Sequence, residues 1–267
     1  MDQRYHRGMP DAAAPRDPKA RFTDRVDDYV KYRPGYPPEV FALLARECGL
    51  GQACTVADLG SGTGIFAKGL LASGARVVAV EPNAAMRAAA ERDLGSVTAT
   101  FRSVDGSAEA TGLEAASVDL VTAAQAFHWF DPPRVRAEMT RILRAPGWVA
   151  LVWNERAASP LNDDYEAMLE AYAPEYPGVR ERDRSAEPKM RDFFTPAQVR
   201  SERFPHSQVF DEEGLRGRLR SSSYAPKEGH PMHAPLYARL AEIFAKHAKE
   251  GRVELVYETA VFWGRLV

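Results

Sequence analysis

The spacing of apolar positions divides the chain into segments with different periods. Phe22, Val26, Tyr29 and Val30 recur at helical spacing, and Pro34 closes that helix at Arg33. Pro37-Pro38 opens a second helix carried by Val40, Phe41, Leu43 and Leu44. From Cys54 onward short apolar runs alternate with amphipathic ones. Strands are predicted at 54–59, 76–81, 97–103, 118–124 and 147–153, and helices at 64–73, 83–93 and 131–144. Asn83 and Asp131 stand as N-caps, and Pro132 falls in the first turn of the third of these helices. Val135, Met139, Ile142 and Leu143 make its buried stripe, with Arg134, Arg136, Arg141 and Arg144 on its outer face. Such alternation implies an α/β fold, a parallel sheet with helices on both faces.

After Trp153 the period changes. Leu161, Tyr165, Met168, Leu169 and Tyr172 line one helix face, and a charged stretch over 177–191 then reads as a solvated loop, or else as a lid over a site. A strand at 200–210, helices at 212–221 and 234–248 and an alternating strand at 253–263 complete the reading. Residues 1–20 carry no apolar run of signal-peptide length and read as a disordered tail. The rest, 21–267, is expected to be one domain: a core over 22–153, a cap and substrate-facing part over 154–250, and the closing strand.

Composition adds exclusions. At 267 residues and 45 % hydrophobic the chain can bury a full core. Lys+Arg 35 against Asp+Glu 37 leaves a net charge of −2 without a polybasic tract, so nucleic acid is not the expected partner. No membrane span is predicted. The 2 cysteines, Cys48 and Cys54, suggest neither a metal nor a disulfide framework, and His206, His230, His233 and His247 lack metal spacing. A reduced, cytoplasmic setting is the expectation; oligomeric state is not legible.

The chemistry concentrates in Val56-Ala-Asp-Leu-Gly-Ser-Gly-Thr-Gly64, a glycine-rich turn between a strand and a helix, and in Glu81 at the tip of the next strand. Gly60, Ser61, Gly62 and Gly64 offer bare backbone to a small ligand. Glu81, about 20 residues beyond the first glycine, is placed to accept both hydroxyls of an adenosine ribose. The turn is not a dinucleotide fingerprint: Ile65 occupies the third glycine's place, and Asp58 would repel a pyrophosphate while welcoming a cationic amino group.

This combination resembles the first motif of class I S-adenosylmethionine-dependent methyltransferases. Tyr29-Val-Lys-Tyr-Arg-Pro-Gly-Tyr-Pro37, Gly106-Ser-Ala-Glu109, Ala124-Gln-Ala-Phe-His-Trp-Phe-Asp131 and Arg141-Ile-Leu-Arg-Ala-Pro-Gly147 resemble segments of its small-molecule branch, that of trans-aconitate and juvenile hormone acid methyltransferases. The resemblance implies a Rossmann-like sheet of seven strands with helices on both faces and a helical cap insertion. S-adenosylmethionine is the implied cofactor, and a small organic molecule the implied acceptor. It places Ser107, Ala108 and Glu109 at the adenine and Met86 and Phe127 either on its face or in the core, and it counts Pro82 and Gln125 among the cofactor-binding residues. Tyr29 and Arg33 would cover the cofactor; Arg33 either holds its carboxylate or caps its own helix against Asp24 or Asp28.

His128 and Trp129 are the candidate catalytic pair. In carboxyl-methylating relatives the matching tryptophan donates its indole N–H to the acceptor carboxylate. A carboxylate needs no base, whereas a hydroxyl, carbon or nitrogen acceptor would call on His128. The alternative is that His128 hydrogen-bonds backbone and Trp129 fills the core. Arg220-Ser-Ser-Ser-Tyr224 either lines the acceptor site or merely exits a helix. The other readings are a C- or N-methyltransferase of a specialised metabolite, and a cofactor-binding regulatory module without catalysis.

Overall fold

A computed structural model describes residues 25–95, 100–184 and 186–266. The 1–20 tail, Phe22 and Asp24 lie outside them. Seven strands form one sheet: β1 (Thr55–Leu59), β2 (Arg76–Val80), β3 (Phe101–Val104), β4 (Val118–Ala124), β5 (Leu143–Arg156), β6 (Val199–Phe210) and β7 (Val253–Gly264). Their order is β3-β2-β1-β4-β5-β7-β6. The first five run parallel, and β7 is inserted antiparallel between β5 and β6. The order reverses at β1, whose neighbours are β2 and β4, so a crevice opens at the carboxyl ends of those strands.

The helices are α1 (Val26–Tyr32), α2 (Pro38–Cys48), α3 (Ile65–Ala72), α4 (Ala84–Ala90), α5 (Pro132–Ile142), α6 (Pro160–Tyr172), α7 (Tyr176–Arg184), α8 (Ala186–Phe193), α9 (Glu212–Arg220) and α10 (His233–His247). Each face of the parallel sheet is closed by an amphipathic stripe. Val135, Met139 and Ile142 of α5 seal one side against Val121, Val149 and Leu151. Val40, Leu43 and Leu44 of α2, with Phe66 and Leu70 of α3, seal the other against Val56 and Val77. The cap has its own cluster, in which Tyr165, Leu169, Leu215, Leu219, Leu236 and Leu240 pack with β7. No helix among the described residues is long and apolar enough to cross a membrane.

The structure corrects several expectations. The 177–191 stretch is not a loop: it belongs to α7 and α8, with Tyr176, Ala186, Met190 and Phe193 buried. The third strand runs over Phe101–Val104, with 97–99 of its expected range outside the described residues, and α4 stops at Ala90 to continue as a π-helical turn over Glu91–Gly95. Leu143 leaves the helix and opens β5, pairing with Val118. Two of the arginines assigned to an outer face are structural ties. Arg136 donates to the Leu266 carbonyl at 2.8 Å, and Arg141 grips the Glu138 carboxylate at 2.7 Å and the Leu113 carbonyl at 2.7 Å.

Candidate functional site

At the carboxyl ends of β1, β2, β4 and β5 lies a cavity of about 760 Å³, within the ~300–1,000 Å³ of small-molecule sites. Tyr29, Arg33, Asp58, Gly60, Ser61, Gly62, Glu81, Pro82, Met86, Ser107, Ala108, Glu109 and Gln125 all line it, as do His128 and Trp129. Gly64 and Phe127 do not. Gly64 is the N-cap of α3, where an added Cβ would meet Leu94 Cδ1 at 2.6 Å, so its task is close packing. Phe127 is buried edge-on against Phe130 and Phe193, with ring centroids 6.1 and 5.0 Å apart, and packs in the core instead of facing the cavity.

The glycines of the turn share positive φ but differ in surroundings. Gly60 (φ +65°) lies so close to Ala126 that a Cβ would stand 2.7 Å from that methyl. At Gly62 (φ +56°) a Cβ would meet nothing within 4 Å. Gly62 is therefore where bare backbone borders open cavity.

Glu81, 9 % exposed, holds this turn in place: Oε2 accepts the Gly62 N–H at 3.0 Å and Oε1 the Asn83 N–H at 2.8 Å. Burial raises its pKa, and each oxygen keeps a second lone pair for a ligand. Asn83 caps α4 by accepting from the Ala85 and Met86 N–H groups. Glu109 Oε1 accepts the Asp131 N–H at 3.0 Å, which ties the adenine-side turn to the start of α5.

Asp58 is the electrostatic centre of the site. It is 1 % exposed; Oδ1 accepts the Thr122 hydroxyl at 2.7 Å, while Oδ2 is buried without a partner. Burial pushes its pKa up to about 7, against the Thr122 hydrogen bond that lowers it. A protonated Asp58 thus contributes stability that is complete below the unfolded value of ~3.9 and lost as pH rises through about 7. Asp58→Asn should raise the melting temperature of the ligand-free protein at pH ~8, with the gain shrinking toward pH ~5. Thermal melts at the two pH values check it; a gain independent of pH would contradict the assignment.

Arg33 donates from Nη2 to the Ser221 carbonyl at 2.9 Å and lies 4.9 Å over the Tyr29 ring, while its Nε is buried without a partner. It does not pair with Asp28, which binds Arg220 at 3.2 Å. Gln125 adopts φ +55° as the chain leaves β4, and its Nε2 donates to the Asn154 carbonyl at 2.7 Å. His128 and Trp129 sit on a short 3₁₀ turn after β4. The imidazole lies 4.5 Å from the Trp129 ring and edge-on to Trp153 at 5.1 Å.

Beyond this pair the cavity continues under the cap, and here sequence reading missed most of the lining. Trp153, Asn154, Arg156, Tyr176, Arg218 and Tyr257 face it, with Ser223 and Tyr224 from the stretch singled out after α9. Arg220 turns away to Asp28 and Glu213. One signal was available: Arg218 interrupts the apolar face made by Leu215 and Leu219, a charge where the stripe should be buried.

Residues 57–151 match the family model described as a methyltransferase domain. An uncharacterized methyltransferase of Mycobacterium tuberculosis is 40 % identical over 141 residues, 53 % of this chain and 55 % of that protein. The chain thus spans about half the length of the first curated relatives it matches. A methyltransferase-like protein of Schizosaccharomyces pombe is 29 % identical over 253 residues, 90 % of this chain and 93 % of its own. A solved structure from Anaeromyxobacter dehalogenans, provisionally assigned as a type II methyltransferase, aligns with a TM-score of 0.64 at 25 % identity, over 88 % of this chain and 99 % of that one.

Proposed function

We propose that this chain, a class I methyltransferase that takes S-adenosylmethionine as cofactor, transfers a methyl group to an oxygen of a small organic acid, a carboxylate first. The carrying observation is the pair of groups waiting at one end of the cavity: the unpartnered Asp58 Oδ2 and the open backbone at Gly62, held by Glu81. They fit an α-ammonium and a ribose, and a pyrophosphate would meet the Asp58 carboxylate.

The cofactor supplies a methyl already activated on a sulfonium. What remains for the protein is to align the acceptor and exclude water. Asp58 would neutralise the ammonium, Arg33 the methionine carboxylate, and Glu81 would accept from the ribose. Backbone at Ser107 and Ala108 would read the adenine edge, with Met86 on its face. A carboxylate acceptor is ionised at neutral pH and needs no proton removed, so Trp129, at the cavity wall, would serve as its hydrogen-bond donor. His128, its ring against two indoles, then fixes the shape of the wall.

The two residues separate the acceptor classes. With a carboxylate acceptor, Trp129→Phe should cost about 1–3 kcal/mol of transition-state stabilisation. His128→Ala should lower turnover only modestly and keep the pH profile. A hydroxyl, carbon or nitrogen acceptor reverses the order, with His128→Ala losing ~10²–10⁴-fold and flattening the acidic limb. The pH–rate profiles of both variants decide it.

A further inference from the structure

The strap that joins α1 to α2 has few donors of its own with which to hold the sheet. It runs without helix or strand over 33–37, and Pro34 and Pro37 lack the N–H that a strand would donate. Arg33, Pro34 and Tyr36 on this strap line the cavity. Its hold comes from donors on the sheet, and a continuous chain of them reaches it. Asn154 of β5 donates from Nδ2 to the Gly35 carbonyl at 3.1 Å. A carbonyl can only accept, so the amide nitrogen faces the strap and Oδ1 faces the sheet. There Oδ1 accepts the hydroxyl of the fully buried Thr259 at 2.6 Å, which spends that hydroxyl's proton. His206 Nδ1, 3.2 Å from the same hydroxyl oxygen, is therefore the ring nitrogen that carries a proton. Burial lowers the pKa of His206, and its ring stacks on Tyr257 with centroids 5.2 Å apart. The three donors point one way, from β6 through β7 and β5 to the strap, so that each bond polarises the next.

Asn154 serves a second neighbour through its main chain. Its carbonyl accepts the Gln125 Nε2 at 2.7 Å, and Gln125 leads into the turn that carries His128 and Trp129. We infer that Asn154 is a positioning residue for methyl transfer: braced by Thr259 and His206, it sets the strap that carries Arg33 against the turn that carries Trp129. This rests on the methyl-transfer reading above. Asn154 borders the cavity, but its Oδ1 and Nδ2 are both engaged by protein, so it acts through the strap and not on the ligand.

The test combines calorimetry with S-adenosylhomocysteine and hydrogen–deuterium exchange of the peptide covering 29–37, both on the full chain. Thr259→Val removes the hydroxyl from a side chain of the same shape outside the cavity lining, and should weaken S-adenosylhomocysteine roughly threefold to tenfold. Thr259→Ser restores the donor and should return affinity to within about twofold of wild type. Asn154→Asp keeps the acceptor for Thr259 but sets an oxygen against the Gly35 carbonyl, and should weaken binding roughly tenfold to thirtyfold. In Thr259→Val and Asn154→Asp, exchange over 29–37 should quicken while β1 and β4 keep wild-type protection.

The proposal is overturned if Thr259→Val binds S-adenosylhomocysteine as wild type does, or if Thr259→Ser restores nothing. It also fails if exchange quickens evenly across the sheet and the strap, the mark of a part that only stabilises the fold. The threonine pair and the Asn154 variant are separate, so either decides if the other does not fold. Wild type that fails to bind S-adenosylhomocysteine sinks the methyl-transfer reading, and strap exchange in the ligand-free variants still judges the hold of Asn154 on its own.

Discussion

Gly62→Val should lower affinity for S-adenosylmethionine by roughly a hundredfold or more while the far-UV circular dichroism stays native. The position has φ +56° and nothing within 4 Å of a built Cβ, so the new side chain finds room in the empty protein and obstructs only what enters the cavity. Overpacking against a bound ligand costs ~1–3 kcal/mol, and a displaced backbone hydrogen bond adds about 1 kcal/mol. The left-handed backbone adds a stability cost of about 1–2 kcal/mol, which a folded domain can absorb. Gly64→Val is the contrasting control, because its Cβ would run into Leu94 at 2.6 Å and should unfold the turn. Calorimetry and circular dichroism on the two variants separate a binding glycine from a packing one. Undiminished affinity in Gly62→Val would mean that the cofactor does not approach this turn.

Glu81→Ala should weaken the cofactor by about 2–3 kcal/mol, on the order of 30–150-fold in Kd. The substitution removes two things at once: the charged acceptor for the ribose hydroxyls, and the tether that holds Gly62 at 3.0 Å and Asn83 at 2.8 Å. Glu81→Gln keeps one acceptor oxygen and should fall between alanine and wild type. The order of the three Kd values is the check, and three equal values would remove the ribose assignment.

The reach of the sequence follows from how each feature is encoded. β1, its glycine turn and Glu81 were legible because a buried parallel strand reads as an unbroken apolar run, and the turn that leaves it needs positive φ. The parallel α/β sheet was legible in the strand–helix alternation, its seven strands were implied by the family resemblance, and their order emerged only in the structure. Which glycine borders the open cavity was not legible, since it turns on Leu94 and Ala90 standing over Gly64 while nothing stands over Gly62. Phe127 shows the same limit, for its three-dimensional neighbours Phe130 and Phe193 come from different elements. α7 and α8 were hidden because their buried residues are sparse among charges, and a polar stretch of that composition also suits a loop. The part of the cavity under the cap was least visible: Tyr224 stood in a stretch singled out from the sequence, but Arg156, Tyr176, Arg218 and Tyr257 come from four separate elements and meet only when β5, α7, α9 and β7 converge.

The most direct test of the account is transfer itself. The full chain would be incubated with S-adenosylmethionine labelled on the methyl and a panel of small mono- and dicarboxylic acids, phenols and amines. Mild alkali would then be used to release methanol from any ester. The account predicts label in an acid that mild base converts to volatile labelled methanol, with one equivalent of S-adenosylhomocysteine formed per methyl. Label that stays fixed to nitrogen or carbon through the alkaline step would contradict it, as would cofactor binding with no methyl passed to any acid.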